Sequence, residues 1–290
     1  MDLCDIKEIK ALLTRHGFRF SRSMGQNFLI DPRIPRDIAL SSGTDGSTGV
    51  LEIGPGIGCL TVELAARAAR VVSVELDRSL LPVLEETLSG RDNVAVLSGD
   101  ILDVDLPRLV EERFRGLRPV VCANLPYNIT TPVLTRLIDS GLFASLTVMI
   151  QREVALRICA APGTADYGAF SVYCQYHTHP ELLFQVPPDC FLPAPKVTSA
   201  VVRLTPRPRP PEEVDDPVLF FRVVKAAFAL RRKTLLNCLS AAFAPRLSRE
   251  TLREVLARCG LPENIRGEQL GIPEFARLAR CLAGQKGDQT

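Results

Sequence analysis

The chain has 290 residues, 46% hydrophobic and 23% charged, enough for a large domain and a smaller one, each with its own core. No apolar run approaches the roughly 18 residues a membrane-spanning helix needs, and Asp2, Asp5, Lys7, Glu8 and Lys10 occupy the start, where a secretion signal has its apolar core; the expected location is the cytoplasm, with no membrane partner. The net charge of +2 hides a segregation, since residues 217–290 carry 13 Lys and Arg against 6 Asp and Glu, whereas residues 1–216 carry 22 against 27.

A mostly polar N-terminal arm comes first, and from 7 to 36 its Lys7, Lys10, Arg15, Arg19, Arg22, Arg33 and Arg36 are opposed only by Glu8 and Asp31. Short β-branched runs at 49–53, 70–75, 93–97, 119–123 and 146–150 then read as strands, and 60–69, 80–88 and 132–138 as helices between some of them. Strands separated by helices at this spacing pair in parallel, in an α/β sheet covered on both faces. Residues 197–204 read as one further strand. The run Thr205-Pro206-Arg207-Pro208-Arg209-Pro210-Pro211 and the acids after it cannot continue a strand or a helix, so 206–216 is expected to be a linker. Helix-period patterns at 217–230, 231–243, 248–259 and 273–282 make residues 217–290 a small helical domain, leaving 1–205 as the sheet domain with its arm. Its basic charge suits a polyanion, although a solvated helix face carries charge in the same way.

The nine cysteines never occur as Cys-x-x-Cys, and most lie in apolar stretches such as Val120-Val121-Cys122-Ala123. They read as small core residues in a reducing compartment, with no metal site and no disulfide framework.

Glu52-Ile53-Gly54-Pro55-Gly56-Ile57-Gly58 follows the first strand of the sheet and opens a helix. Glycines are needed where backbone turns sharply or a ligand approaches closer than a β-carbon permits. Position 59 is Cys, so the Gly-x-Gly-x-x-Gly fingerprint of a pyrophosphate site is not met. Glu75 ends the second strand, where a carboxylate can accept from both hydroxyls of a ribose. Taken alone it is a strand-end acid in water. Asp100 and Ile101 follow the third strand, suited to accept from an adenine amine and to pack on its ring. Three strand ends meeting at one nucleoside point to an adenosine-bearing cofactor.

The fourth strand ends in Asn124-Leu125-Pro126-Tyr127, followed by Asn128-Ile129-Thr130-Thr131-Pro132. As turn chemistry, Asn and Pro stop the strand and Tyr fills a gap. A sharper reading is chemical. An adenine amine is a poor nucleophile because its lone pair is delocalised, and acceptors aimed at its two protons favour the pyramidal form that attacks. The Asn124 side-chain oxygen and the carbonyl of Leu125 or Pro126 are candidates, with Tyr127 as a stacking surface for the base.

These residues resemble the ribosomal RNA adenine dimethylase family, and the likeness spans nearly the whole chain. It runs through Gly25-Gln26-Asn27-Phe28-Leu29, the glycine loop, Glu75, Asp100, Asn124 to Tyr127, Gln151-Arg152-Glu153-Val154-Ala155 and Phe191-Leu192-Pro193-Ala194-Pro195-Lys196-Val197. The resemblance implies a class I (Rossmann-like) methyltransferase fold with a seven-stranded, mostly parallel sheet. It implies S-adenosylmethionine as cofactor, with Gln26, Asn27 and Leu29 closing over it and Gly54, Gly56, Glu75, Asp100, Ile101 and Asn124 holding it. It also implies that Phe191 faces Tyr127 to sandwich the target adenine, although composition alone makes Phe191 core and makes Gln26 and Asn27 loop caps.

The run 124–132, residues 191–197, Arg231-Arg232-Lys233-Thr234-Leu235 and Arg266-Gly267-Glu268-Gln269-Leu270 resemble the branch acting on small-subunit (16S) RNA more than the large-subunit resistance methylases. By that resemblance a monomer dimethylates two adjacent adenosines near the RNA 3′ end, in an assembling particle. Arg231, Arg232 and Lys233 are the candidate phosphate contacts. A non-catalytic RNA-binding role and a nicotinamide dehydrogenase are the rival classes, the latter disfavoured because His16, His177 and His179 match no catalytic motif.

Overall fold

A computed structural model describes residues 1–18, 26–230, 232–244 and 246–284. Its strands are β1 (Phe28–Leu29), β2 (Thr48–Ile53), β3 (Arg70–Glu75), β4 (Val94–Ser98), β5 (Arg118–Asn124), β6 (Leu146–Gln151), β7 (Thr178–Val186), β8 (Phe191–Leu192) and β9 (Ser199–Pro206). Seven of these form one sheet in the order β4-β3-β2-β5-β6-β9-β7, and β1 pairs with β8 in a separate two-residue ribbon. Neighbours from β4 through β6 run parallel, whereas β9 runs antiparallel to β6 with Ser199 opposite Gln151. The sheet is therefore the seven-stranded, mostly parallel one expected.

The helices before the sheet correct the reading of a polar arm. α1 (Ile6–Arg15) starts where the Asp5 side chain accepts from the Lys7 and Glu8 amides, and α2 (Arg33–Ser41) follows β1. Ile9, Leu12 and Leu13 of α1 are buried with Leu80, Val83 and Leu84. Each contributes roughly 1.5–3 kcal/mol by leaving water. The stripe was hard to see because charged residues alternate with it.

α3 (Cys59–Ala65), α4 (Leu81–Thr87), α5 (Leu106–Arg113) and α6 (Thr130–Ser140) occupy the connections between parallel strands. One face of the sheet packs Val50, Val71, Val120, Cys122, Met149 and Val201 against Ile38, Leu60 and Leu64. Gly49 in β2 has a packing cause, since a β-carbon there would stand 2.4 Å from the buried Phe114 ring.

β7 was missed from the sequence. It is the last strand in the sheet order, carries Pro180 and alternates poorly in burial. Proline is tolerated at such an edge because its missing donor faces no partner.

The chain divides into two compact units, Met1–Ala155 with Pro180–Pro206, and Leu156–His179 with Arg207–Thr290. Residues 156–179, placed with the sheet domain by sequence, thus group with the helical unit. Within it α8 (Ala169–His177), which follows α7 (Arg152–Cys159), packs Val172 and Tyr176 in one cluster with Phe220, Val223 and Val224. A run of prolines marks the last of the three crossings between units by its backbone chemistry, but the two earlier crossings carry no such run.

The helical unit holds α9 (Pro217–Ala229), α10 (Leu235–Phe243), α11 (Arg249–Arg258) and α12 (Ile272–Ala283), with Asp216, Thr234 and Ser248 capping the first three. Gly267 approaches α9 so closely that a β-carbon would meet the Ala227 carbonyl oxygen at 2.6 Å. No described helix is long and apolar enough to cross a membrane.

Candidate active site

At the carboxyl ends of β2, β3 and β5 lies a cleft enclosing about 1160 Å3 of non-atom space, its mouth included. Parallel strands with crossover helices leave such a crevice where successive connections diverge, and ligands of α/β proteins bind there. Gln26, Asn27, Leu29, Gly54, Gly56, Glu75, Asp100, Ile101, Asn124, Leu125, Pro126 and Tyr127 all line it. Residues from five separate stretches of sequence are thereby brought to one concavity.

The floor is the turn from β2 into α3. Gly54 and Gly56 have φ of +66° and +62°, left-handed values that a side chain resists. A β-carbon on Gly56 would also stand 3.2 Å from the Phe28 ring. The Gly54 amide donates to the Val74 carbonyl at 2.9 Å, fixing the turn to β3.

Beside the turn, Glu75 is 6% exposed. Its carboxylate accepts from the Asp77 amide at 2.8 Å and, at a long 3.4 Å, from the Gly56 amide. Burial pushes its pKa up, because few donors offset the lost water. Gln26 donates to Asp77 at 2.6 Å, which aims that side chain along the cleft wall. Asp100 turns one oxygen to the Leu102 amide at 2.8 Å, and Ile101 is buried beside it.

Glu52 also lines the cleft, a position that strand pattern alone did not mark as functional. It is 1% exposed, and one oxygen, Oε2, accepts from Thr61 Oγ1 at 2.7 Å and Ser73 Oγ at 2.6 Å. Burial, opposed by those two bonds, raises its pKa to about 7. An acid inside an apolar strand was the available signal.

At the far end, the Leu125 amide donates to the Met149 carbonyl at 3.0 Å, anchoring the motif to β6. The Pro126 carbonyl accepts from the Ile129 amide at 3.2 Å and from Thr130 Oγ1 at 3.3 Å. Among the described residues nothing donates to the Leu125 carbonyl. The Tyr127 hydroxyl shares a 2.6 Å hydrogen bond with Ser199 Oγ, and burial raises the phenol's pKa, so it is protonated at neutral pH.

The profile of the family described as ribosomal RNA adenine dimethylase matches residues 17–268. The chain belongs to that family. Among its relatives, a protein from Alkaliphilus metalliredigens (strain QYMF) named ribosomal RNA small subunit methyltransferase A is 46% identical, with 96% of each chain covered. One of the same name from Streptococcus pneumoniae (strain JJA) is also 46% identical, over 98% of this chain and 99% of that one. The solved 23S rRNA methyltransferase ErmE shares 27% identity with a TM-score of 0.67, covering 89% of this chain and all of that one. A dimethyladenosine transferase from Plasmodium falciparum matches in fold with a TM-score of 0.72 at 24% identity, covering 86% of this chain and 95% of that one.

Phe191 and the basic residues 231–233 have roles that the resemblance alone implies. Phe191 does not line the cleft. It is 3% exposed, paired opposite Leu29 in the ribbon of β1 and β8, and packed with Leu29, Ile38 and Cys190. Its ring thus sits in the core, as composition alone suggested. Arg232 and Lys233 are exposed between α9 and α10 in the helical unit, and Arg231 lies outside the described residues. Lining residues that the motifs did not flag include Leu76 and Leu80; Leu76 is 53% exposed, an uncovered apolar surface directly after Glu75.

Proposed function

We propose that this member of the family uses S-adenosylmethionine to dimethylate N6 of two adjacent adenosines near the 3′ end of small-subunit (16S) ribosomal RNA. The reaction belongs in the cytoplasm, on an assembling ribosomal particle, with the protein acting as a monomer. The observation that carries this reading is the convergence, in one cleft, of a glycine turn, strand-end acids and Asn124 beside a Leu125 carbonyl to which no described residue donates.

The cleft fits such a donor. The glycine turn leaves room that β-carbons would fill, and Glu75 retains acceptor capacity for a vicinal diol, whose donors would relieve the cost of its burial. Leu76 and Ile101 offer apolar surface for a flat base, while Asp100 keeps an oxygen to which no described residue donates, suited to an amine. When bound, S-adenosylmethionine supplies a methyl group made electrophilic by its sulfonium.

The chain's own part is to make the adenine amine nucleophilic and to hold it in line. Asn124 Oδ1 and the Leu125 carbonyl accept from the two amino protons, drawing the nitrogen towards the pyramidal form and bearing the charge that grows on it. Pro126 is the weaker candidate for this role, because its carbonyl is already engaged. Tyr127 offers its ring to the extruded base, stacking being worth about 1–3 kcal/mol. The proton is lost after transfer, when the nitrogen is strongly acidic, so no strong base is required. Arg232 and Lys233, with Arg231, supply phosphate contacts.

Undermethylated small and large ribosomal subunits are incubated with the protein and the methyl donor, and methylated adenosines are mapped by mass spectrometry. Dimethylation of two adjacent adenosines in the small subunit is the expected result. Methylation confined to the large subunit refutes the proposal.

A further inference from the structure

β9 runs against β6, and that reversal decides where its first residue lies. β5 and β6 are parallel, with Asn124 opposite Met149, and β6 ends at Gln151, opposite Ser199. Ser199 therefore enters the sheet at the carboxyl ends of β5 and β6, where Asn124 leaves it and the turn with Tyr127 follows. The motif at 191–197 stops two residues short of this serine. Its side chain is wholly buried, and its hydroxyl is bonded, among the described residues, to the Tyr127 hydroxyl alone, at 2.6 Å. That bond reaches across the end of β6 from β9 to the turn after β5.

We propose that Ser199 is a positioning residue for methyl transfer, fixing the Tyr127 ring as the platform on which the target adenine stacks. The inference rests on the reading of Tyr127 as that platform. The ring is held at its near end by the backbone after Pro126, whose φ of −57° is set by its own pyrrolidine. A tether at the phenolic oxygen holds the far end and removes the remaining swing. A ring already fixed loses little freedom when a base settles on it, so the tether acts on RNA affinity. A hydroxyl that merely satisfies a buried site would act on folding stability instead.

The test is steady-state methylation of undermethylated small subunits by the full chain carrying Ser199→Ala, Tyr127→Phe or both. Each single change is expected to raise KM for the RNA about three- to tenfold, the ordering cost of one side chain, with kcat within about twofold. The double variant should be no worse than either single one, because both remove the same bond. Ser199→Thr should restore KM, and equilibrium dialysis should show cofactor affinity unchanged in all. Effects that multiply in the double variant overturn the proposal, as does a lowered melting temperature for Ser199→Ala with KM unmoved. Tyr127→Phe removes the bond from the partly exposed side, so it keeps the test decisive should Ser199→Ala fail to fold. Tyr127→Ala separates the two layers. If it leaves KM unchanged, the platform reading itself fails; if it raises KM while Tyr127→Phe and Ser199→Ala do not, only the tether fails.

Discussion

Replacing Glu52 by Gln should remove the pH dependence that this buried carboxyl gives to stability. The carboxyl is 1% exposed, and its pKa rises from an ordinary 4.5 to about 7. At 1.36 kcal/mol per tenfold change in proton affinity, that is a preference of about 3 kcal/mol for the protonated form in the folded chain. Because the folded value lies above the unfolded one, the contribution is fully present below about pH 4.5 and is lost as pH rises through about 7. Glutamine keeps an acceptor for Thr61 and Ser73 and cannot ionise. The stability of Glu52→Gln relative to the unaltered chain should therefore climb by about 2–3 kcal/mol between about pH 5 and pH 8. Burial raises Glu75 in the same direction, but that residue is common to both proteins. Hydrogen exchange of β2 and β3 amides, corrected for intrinsic rates, reports opening of this unit without assuming that both units unfold together. A difference that stays flat across the range would mean that Glu52 ionises as in water, and the burial argument would be wrong.

Asn124→Ala should lower methyl transfer by at least about 100-fold, in the range seen for loss of one transition-state hydrogen bond, while equilibrium dialysis shows cofactor binding largely retained; undiminished turnover would contradict the amine mechanism. Gly56→Ala places a side chain at φ +62° and against the Phe28 ring, so denaturant titration should show a loss of about 1–2 kcal/mol, with weakened cofactor binding. Phe191→Leu keeps an apolar core residue and should leave KM for RNA unchanged, whereas a selective rise in KM would restore the stacking role implied by resemblance. Arg232→Glu and Lys233→Glu should each weaken RNA binding and flatten its salt dependence, the slope changing by about one for each phosphate no longer neutralised; an unchanged slope in filter binding refutes that role.

The cofactor end of the cleft was legible because its chemistry is local. Gly54 and Gly56 must be glycine for backbone reasons, and Glu75 and Asp100 stand at strand ends that β-branched runs announce. The base end was legible only in part. Asn124 to Tyr127 are contiguous, but the tether to Tyr127 comes from Ser199, which reads as one polar residue inside the expected strand 197–204 until β9 is known to run backwards. Glu52 was passed over for a related reason: its partners Thr61 and Ser73 lie on α3 and β3, and only packing makes the three one site. Residues 156–179 were assigned to the wrong unit because nothing in their composition marks a crossing, and the side chains that claim them come from α9, far along the chain. Phe191 carries two readings, core from its hydrophobic character and stacking from resemblance, and its burial with Leu29, Ile38 and Cys190 is the part its composition announces.

The smallest element of the fold has the widest reach. β1 and β8 are two residues each, joining Phe28 to Leu192 and Leu29 to Phe191. A pairing so short does not persist unaided, so each segment keeps its place partly through the other. β1 continues from Gln26 and Asn27 at the cofactor end, and β8 leads on to Ser199, which holds Tyr127 at the base end. Whatever steadies one segment therefore steadies the other, and reciprocity requires that the help be mutual and equal in free energy. Four paired residues thus join the segment after Gln26 and Asn27 to the segment before Ser199.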